Sequence, residues 1–73
     1  MNTTDVTIHI NQTISPDLQQ KLETTMREID GVIAPRFNLP HMLVVLYNAE
    51  KTSSEILLNA VRNKGYQAQL VAL

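Results

Sequence analysis

The 73-residue sequence contains no cysteine and only two glycines. Without cysteine, the chain cannot form a disulfide, a thiol nucleophile, a redox pair or a zinc-finger site. Two glycines are too few for a glycine-rich loop that cradles phosphate. No nucleophile–base pair is apparent either, so the sequence predicts a protein that is not an enzyme and carries no cofactor.

Long apolar runs and an excess of one charge are also missing. Six basic residues balance seven acidic ones and are scattered along the chain, so we expect no nucleic-acid partner. The longest apolar run, residues 42–46, is far shorter than the roughly 20 residues of a membrane-spanning helix. The polar residues 1–5 do not resemble a secretion signal. We therefore expect a cytoplasmic protein that does not insert into a membrane.

The length predicts a single domain over residues 1–73. A chain of this size buries only about 60–65% of the surface that it would expose when unfolded. Small domains without disulfides often gain stability by association. This raises the expectation of a homo-oligomer or of a protein partner.

In the first half of the chain, apolar and polar residues alternate from residue 6 to residue 11, which predicts a half-buried strand. Ser15, Pro16 and Asp17 form a helix start in which the serine caps and the proline occupies the first turn. Gly31 ends the helix in the position of a left-handed cap. The predicted apolar stripe of this helix, expected to lie in the core, comprises Leu18, Leu22, Met26 and Ile29.

The second half begins with a predicted strand at residues 32–38, placed at the sheet edge because Pro35 cannot donate a ladder hydrogen bond. Residues 42–47 do not alternate and predict a strand covered at least partly on both faces. Ser53 or Ser54 caps a second helix that ends at Lys64 and Gly65, and residues 66–73 form a last strand. The apolar face of this helix comprises Leu57, Leu58, Ala60 and Val61.

The order strand, helix, strand, strand, helix, strand predicts an α+β fold, the ferredoxin-like βαββαβ open sandwich. We expect a four-stranded antiparallel sheet of order 4-1-3-2 with both helices on one face. We further expect the first and third strands to run parallel, with His9 level with about Leu46. His41 would then lie about 16 Å from His9 along the strand, which argues against one metal ion bound by both. A site shared between subunits stays open.

The layout resembles the heavy-metal-associated domain family, the small copper and mercury carriers and the N-terminal modules of metal-pumping ATPases. The resemblance covers about residues 6–73 and implies the same fold. Each motif is weak alone, but together, at this spacing, they are moderately specific. The motifs are Ile29-Asp30-Gly31-Val32, Ala60-Val61, Gly65-Tyr66, and Val45 and Tyr47 followed by Asn48-Ala49-Glu50-Lys51.

The family binds metal through Met-x-Cys-x-x-Cys, and these positions fall on Thr13, Ser15 and Leu18. Serine is a poor ligand for a soft ion and leucine is none, whereas thiolates select Cu(I). Gln12 replaces the glycine that usually precedes the motif. The resemblance thus implies the family's fold without its metal site. Tyr66 matches the tyrosine beside that site in the family, and we expect it to pack in the core here.

One surface remains as a candidate site. If alternate residues of the third strand face the helices, then the remaining residues of that strand face away from them. Their neighbours on this outer face would be Thr7, His9 and Asn11 of the first strand and Arg36 and Asn38 of the second. An apolar surface with a polar rim favours an interface, although strand propensity alone would also explain these residues. The interface candidates are Met42, Val44, Leu46, His9 and Val71, with further apolar surface from Leu73.

We therefore interpret the chain as a non-catalytic interaction module that self-associates or docks on a partner. Two alternatives stay open. One is a metal-trafficking protein that uses unusual ligands at a subunit interface. The other is a small-ligand sensor between subunits, which rests on analogy of fold alone.

Overall fold

The computed structural model of the protein describes residues 2–71. The six elements appear in the predicted order, which confirms the element types. The last strand is shorter than predicted, and Ala72 and Leu73 of that prediction lie outside the described residues. The elements are β1 (Thr3–Ile10), α1 (Pro16–Arg27), β2 (Val32–Leu39), β3 (Met42–Asn48), α2 (Ser54–Asn63) and β4 (Ala68–Leu70).

The four strands form one sheet of order β2-β3-β1-β4, which confirms the ferredoxin-like topology. The predicted parallel pairing of β1 and β3 is wrong, since these strands are antiparallel, with Thr7 opposite Val44 and His9 opposite Met42. The crossover through α1 makes β1 and β2 run the same way, and the β2–β3 hairpin then reverses the chain. Because β3 lies between β1 and β2, it is antiparallel to both.

The core lies between the inner face of the sheet and the two helices. Along β3, Leu43, Val45 and Tyr47 are buried, whereas Val44 is half-buried and Leu46 is exposed, which confirms the predicted alternation of faces. Both helices contribute to the same cluster, so both cover the same face of the sheet. The buried apolar residues are Ile8, Ile10, Ile14, Leu22, Met26, Leu43, Val45, Tyr47, Leu57, Leu58, Val61 and Ala68.

Gly31 ties the end of α1 to the loop that follows β3. Its φ of +100° is in the left-handed region that favours glycine, as predicted. The prediction that Gly31 ends the helix is wrong, since α1 ends at Arg27 with Glu28 as its C-cap. A Cβ there would lie 2.8 Å from the Cβ of Lys51, and the Gly31 carbonyl accepts a 2.7 Å hydrogen bond from the Asn48 amide. Glycine is therefore required here both by the backbone conformation and by the close packing.

The two predicted helix starts differ in the structure. The Ser53 hydroxyl accepts a hydrogen bond from the Ile56 amide at 3.2 Å, which confirms this cap. Ser15 occupies the N-cap position of α1, but its side chain makes no capping bond, so the prediction that it caps is wrong. Ser15 contributes to the helix only through its backbone carbonyl, which accepts the first hydrogen bond of the helix from the Gln19 amide at 2.8 Å.

Leu18 is not in the core, contrary to the prediction. It is 41% exposed and borders an open groove between α1 and the turn that contains Lys64 and Tyr66. Leu22 and Met26, further along the same stripe, are buried. Leu18 thus has the sequence spacing of a buried helical residue, but it is exposed because the first turn of α1 borders an open groove.

Candidate functional site

The loop from β1 to α1 is where the resemblance places a metal site. Thr13 and Ser15 are exposed in it. The loop is held by Ile14 instead, which is 2% exposed, donates its amide proton to the Pro40 carbonyl at 3.0 Å and accepts from the Gln19 Nε2 at 2.8 Å. This segment therefore keeps an ordered connection to the β2–β3 turn but offers no thiolate to a metal ion.

The groove beside Leu18 has a volume of about 910 Å³ and is open to solvent. Its lining carries both signs of charge, from Asp17 and Glu23 and from Lys21 and Lys64. Mixed and solvated charges of this kind do not select one class of ligand. Nothing in its lining identifies a bound molecule.

The outer face of the sheet carries an apolar stripe that runs along β3 and the end of β2. We call the four residues Leu39, Met42, Val44 and Leu46 the outer stripe. Leu39 is 52% exposed and Leu46 is 36% exposed, whereas Met42 and Val44 are half-buried. Val71, also half-buried, lies two residues after Gln69, the partner of His9, and so belongs to the same face. The structure thus places every interface candidate of the sequence on one surface.

Leu39 was not predicted to be part of this surface. Strict alternation from Arg36 puts Asn38 there, but the β2–β3 register shifts between Phe37 and Leu39, and Leu39 lies opposite Met42. The extra residue of such a bulge has no signature in this sequence. Because of the bulge, the outer face carries the side chain of Leu39 where that of Asn38 was predicted, and the apolar surface is larger than predicted.

Polar residues of opposite charge flank the outer stripe on its two sides. On β1, Asp5 lies opposite Leu46 and Thr7 lies opposite Val44. On β2, Arg36 lies opposite Val44. The β1 side of the stripe thus carries an aspartate and the β2 side carries an arginine.

The two histidines lie together, which overturns the predicted separation of about 16 Å. Their ring centres are 5.2 Å apart, with the rings inclined by 74° in an edge-on contact. The error follows from the strand direction, because an antiparallel β3 begins where β1 ends and so brings His41 next to His9. The Nδ1 of His9 also contacts the Oδ1 of Asn11 at 3.0 Å. Sequence reasoning missed this cluster, although the correct strand direction would have found it.

Among residues 2–71, no three histidine, cysteine, aspartate or glutamate side chains lie close enough together to hold one metal ion. Neither helix in that range has the length and apolar character needed to cross a membrane.

The sequence matches no protein-family model and no curated protein. Solved structures, in contrast, match nearly the whole chain. A copper binding domain from HMA7, a P-type ATPase, has a TM-score of 0.83 at 13% identity and covers 93% of each chain. Oxidized MerP from Ralstonia metallidurans CH34 has a TM-score of 0.81 at 20% identity and covers 93% of this chain and 96% of its own.

A further match is the N-terminal domain of a potential copper-translocating P-type ATPase from Bacillus subtilis, in the Cu(I)-loaded state. It has a TM-score of 0.79 at 26% identity and covers 93% of this chain and 86% of its own. The chain therefore has the fold of the heavy-metal-associated domains, which confirms the resemblance at the level of the fold. It has this fold without any cysteine.

Proposed function

We propose that the protein is a non-catalytic interaction module that associates with a second copy of itself through the outer stripe. The observation that carries this proposal is an exposed apolar surface, bounded by polar residues, on a domain with a small core. Such surfaces on small domains commonly mark protein contacts. Leu39 and Leu46 are its most exposed members.

The copper-binding role of the structural neighbours does not transfer to this chain's loop. Several neighbours are copper-binding domains or metallochaperones by their descriptions. Here the three corresponding positions are Thr13, Ser15 and Leu18, and none of them supplies the soft ligand that Cu(I) requires. The proposal therefore assigns the function of this chain to another surface of the same fold.

The charge pattern favours a second copy as the occupant of the outer stripe. In a face-to-face dimer with its two-fold axis along β3, β1 of one copy lies over β2 of the other. Such an interface is self-complementary, since each contact occurs twice. Asp5 of one copy then approaches Arg36 of the other, because the two residues flank the stripe on opposite sides. Asp5 pairs with Leu46 and Arg36 pairs with Val44, so they lie only two residues apart along the direction of β3.

Sedimentation velocity tests this proposal with a matched pair of variants. Leu46→Lys puts a charge in the stripe and should raise the dimer dissociation constant by more than about tenfold, because an unpaired ammonium is costly to bury. Ile56→Lys is the control, since Ile56 is 53% exposed and lies on α2, which covers the opposite face of the sheet. Both variants should keep the wild-type circular dichroism spectrum.

The control should sediment like the wild type. A wild-type chain that stays monomeric at millimolar concentration would contradict the proposal. An equal loss of association in both variants would also contradict it, because the contact would then not depend on the outer stripe.

A further inference from the structure

We propose that His9 and His41 form a chelating site for one divalent late transition metal ion, with Cu²⁺ bound most tightly. This inference goes beyond the association proposed above and concerns one end of the same outer face, where His9 and Met42 are cross-strand partners. The ligands are the imidazoles of His9, near the end of β1, and of His41, in the turn just before β3, and the site does not use the cysteine positions of the heavy-metal-associated domains.

The backbone holds both histidines in place before any ion arrives. His9 is a ladder residue of β1, opposite Met42 of β3. The carbonyl of His41 accepts a 2.8 Å hydrogen bond from the amide of Ile10, the neighbour of His9. Because His9 lies on a paired strand and His41 lies in a tight turn that is hydrogen-bonded to that strand, little backbone ordering is needed on binding.

The separation of the two rings fits a shared ion. Metal–nitrogen bonds to histidine are about 2.0–2.1 Å long, so two imidazoles on one ion hold their ring centres about 4.5 Å apart at the 90° angle of tetragonal Cu²⁺ and about 5 Å apart at a tetrahedral angle. The observed separation is 5.2 Å. Both side chains are half-buried, so an ion can reach them from solvent without local unfolding.

Asn11 determines which nitrogen of His9 is available. Its Oδ1 lies 3.0 Å from the Nδ1 of His9, and an amide oxygen can only accept a hydrogen bond. The tautomer that satisfies this contact carries its proton on Nδ1 and leaves the lone pair of Nε2 for a metal ion. Ligand histidines are typically oriented in this way, by a hydrogen bond from the nitrogen that does not bind metal.

The donors determine the class of ion. Imidazole suits zinc, copper, iron and nickel, and affinity for a given site of this kind increases along the divalent series to a maximum at Cu²⁺. Met42 is the cross-strand partner of His9, so its side chain is on the same face of the sheet as that of His9. A thioether is a strong donor for Cu(I), a weak axial donor for Cu²⁺ and a poor donor for magnesium or calcium.

The test uses tag-free protein, because the chain contains only these two histidines and any bound imidazole is then identified. Competition of Cu²⁺ against a chelating dye should give one ion per chain. His9→Gln and His41→Gln should each weaken binding by more than about tenfold, since a single imidazole cannot chelate. Asn11→Ala should weaken it by about tenfold, the usual effect of removing a residue that orients a ligand.

A second readout separates coordination from a structural effect. On adding Zn²⁺, the ¹⁵N resonance of His9 Nε2 should move to the metal-bound range while Nδ1 keeps its proton. The Leu46→Lys variant should bind copper as the wild type does, which distinguishes this site from the proposed dimer contact.

Three results would overturn the proposal. The first is unchanged copper affinity in both glutamine variants. The second is a stoichiometry of one ion per two chains, and the third is no ring-nitrogen shift at saturating zinc. In the first and third cases the edge-on contact of the rings would be a packing contact only, and in the second case the ion would bridge two copies of the chain.

Discussion

The two faces of β3 have nearly the same composition but very different surroundings. Leu43 and Val45 point inward and are fully buried, whereas Val44 is half-buried and Leu46 is 36% exposed on the outside. Leucine and valine on the inner face meet the two helices. On the outer face, no other element of residues 2–71 covers them. Strand propensity thus explains why leucine and valine occur together in β3. Whether each one stabilises the fold or remains available for contact with another protein depends on whether the helices cover its face of the sheet.

Two matched pairs of truncations measure this difference in surroundings. Val45→Ala and Leu22→Ala should each lower the free energy of unfolding by about 2–4 kcal/mol, because each removes atoms from a packed core. Val44→Ala and Leu18→Ala, at the neighbouring outer and groove positions, should each cost less than about 1 kcal/mol. Urea unfolding at monomeric protein concentration gives all four values.

The low concentration is essential to this comparison, because association through the outer stripe would add stability at Val44. A cost at Val44 equal to that at Val45 under these conditions would mean that the outer face is packed after all.

The turns at Gly31 and Gly65 offer a second comparison between a position with close neighbours and one that is open to solvent. Gly31→Ala should destabilise by about 2–3 kcal/mol, since it adds steric overlap with Lys51 to the cost of a left-handed backbone. Gly65 has a similar φ of +96° but no atom within 4 Å of an added Cβ. Gly65→Ala should therefore cost about 1 kcal/mol, the backbone contribution alone.

Thermal unfolding of both variants separates the steric from the conformational contribution. Equal losses at the two glycines would show that the close approach of Gly31 to the β3–α2 loop has no energetic effect.

The sequence predicted those parts of the fold that depend on local pattern. The alternation along β1, the capping by Ser53 and the edge position of Pro35 all follow from the chemistry of one residue and its neighbours. The order of the strands followed from the handedness of the crossovers.

The parts that were not predicted depend on neighbours distant in the chain. The spacing of Leu18 is right for a buried helical stripe, but the spacing cannot show that the helix has an open groove beside its first turn. The bulge that brings Leu39 to the outer face arises from the pairing of two strands, and neither strand encodes it alone. The proximity of His9 and His41 required the correct direction of β3, since that direction brings the start of one strand next to the end of the other.

The central claim is that the outer face of β3 is the contact surface of this protein. Amide chemical shifts in a dilution series of ¹⁵N-labelled protein test it directly, because they report association and its location together. The account predicts concentration-dependent shifts at Leu39, Met42, Val44 and Leu46 and at the flanking Asp5 and Arg36, with α1 and α2 unaffected. Spectra that do not change with concentration, or changes confined to the helices, would contradict it.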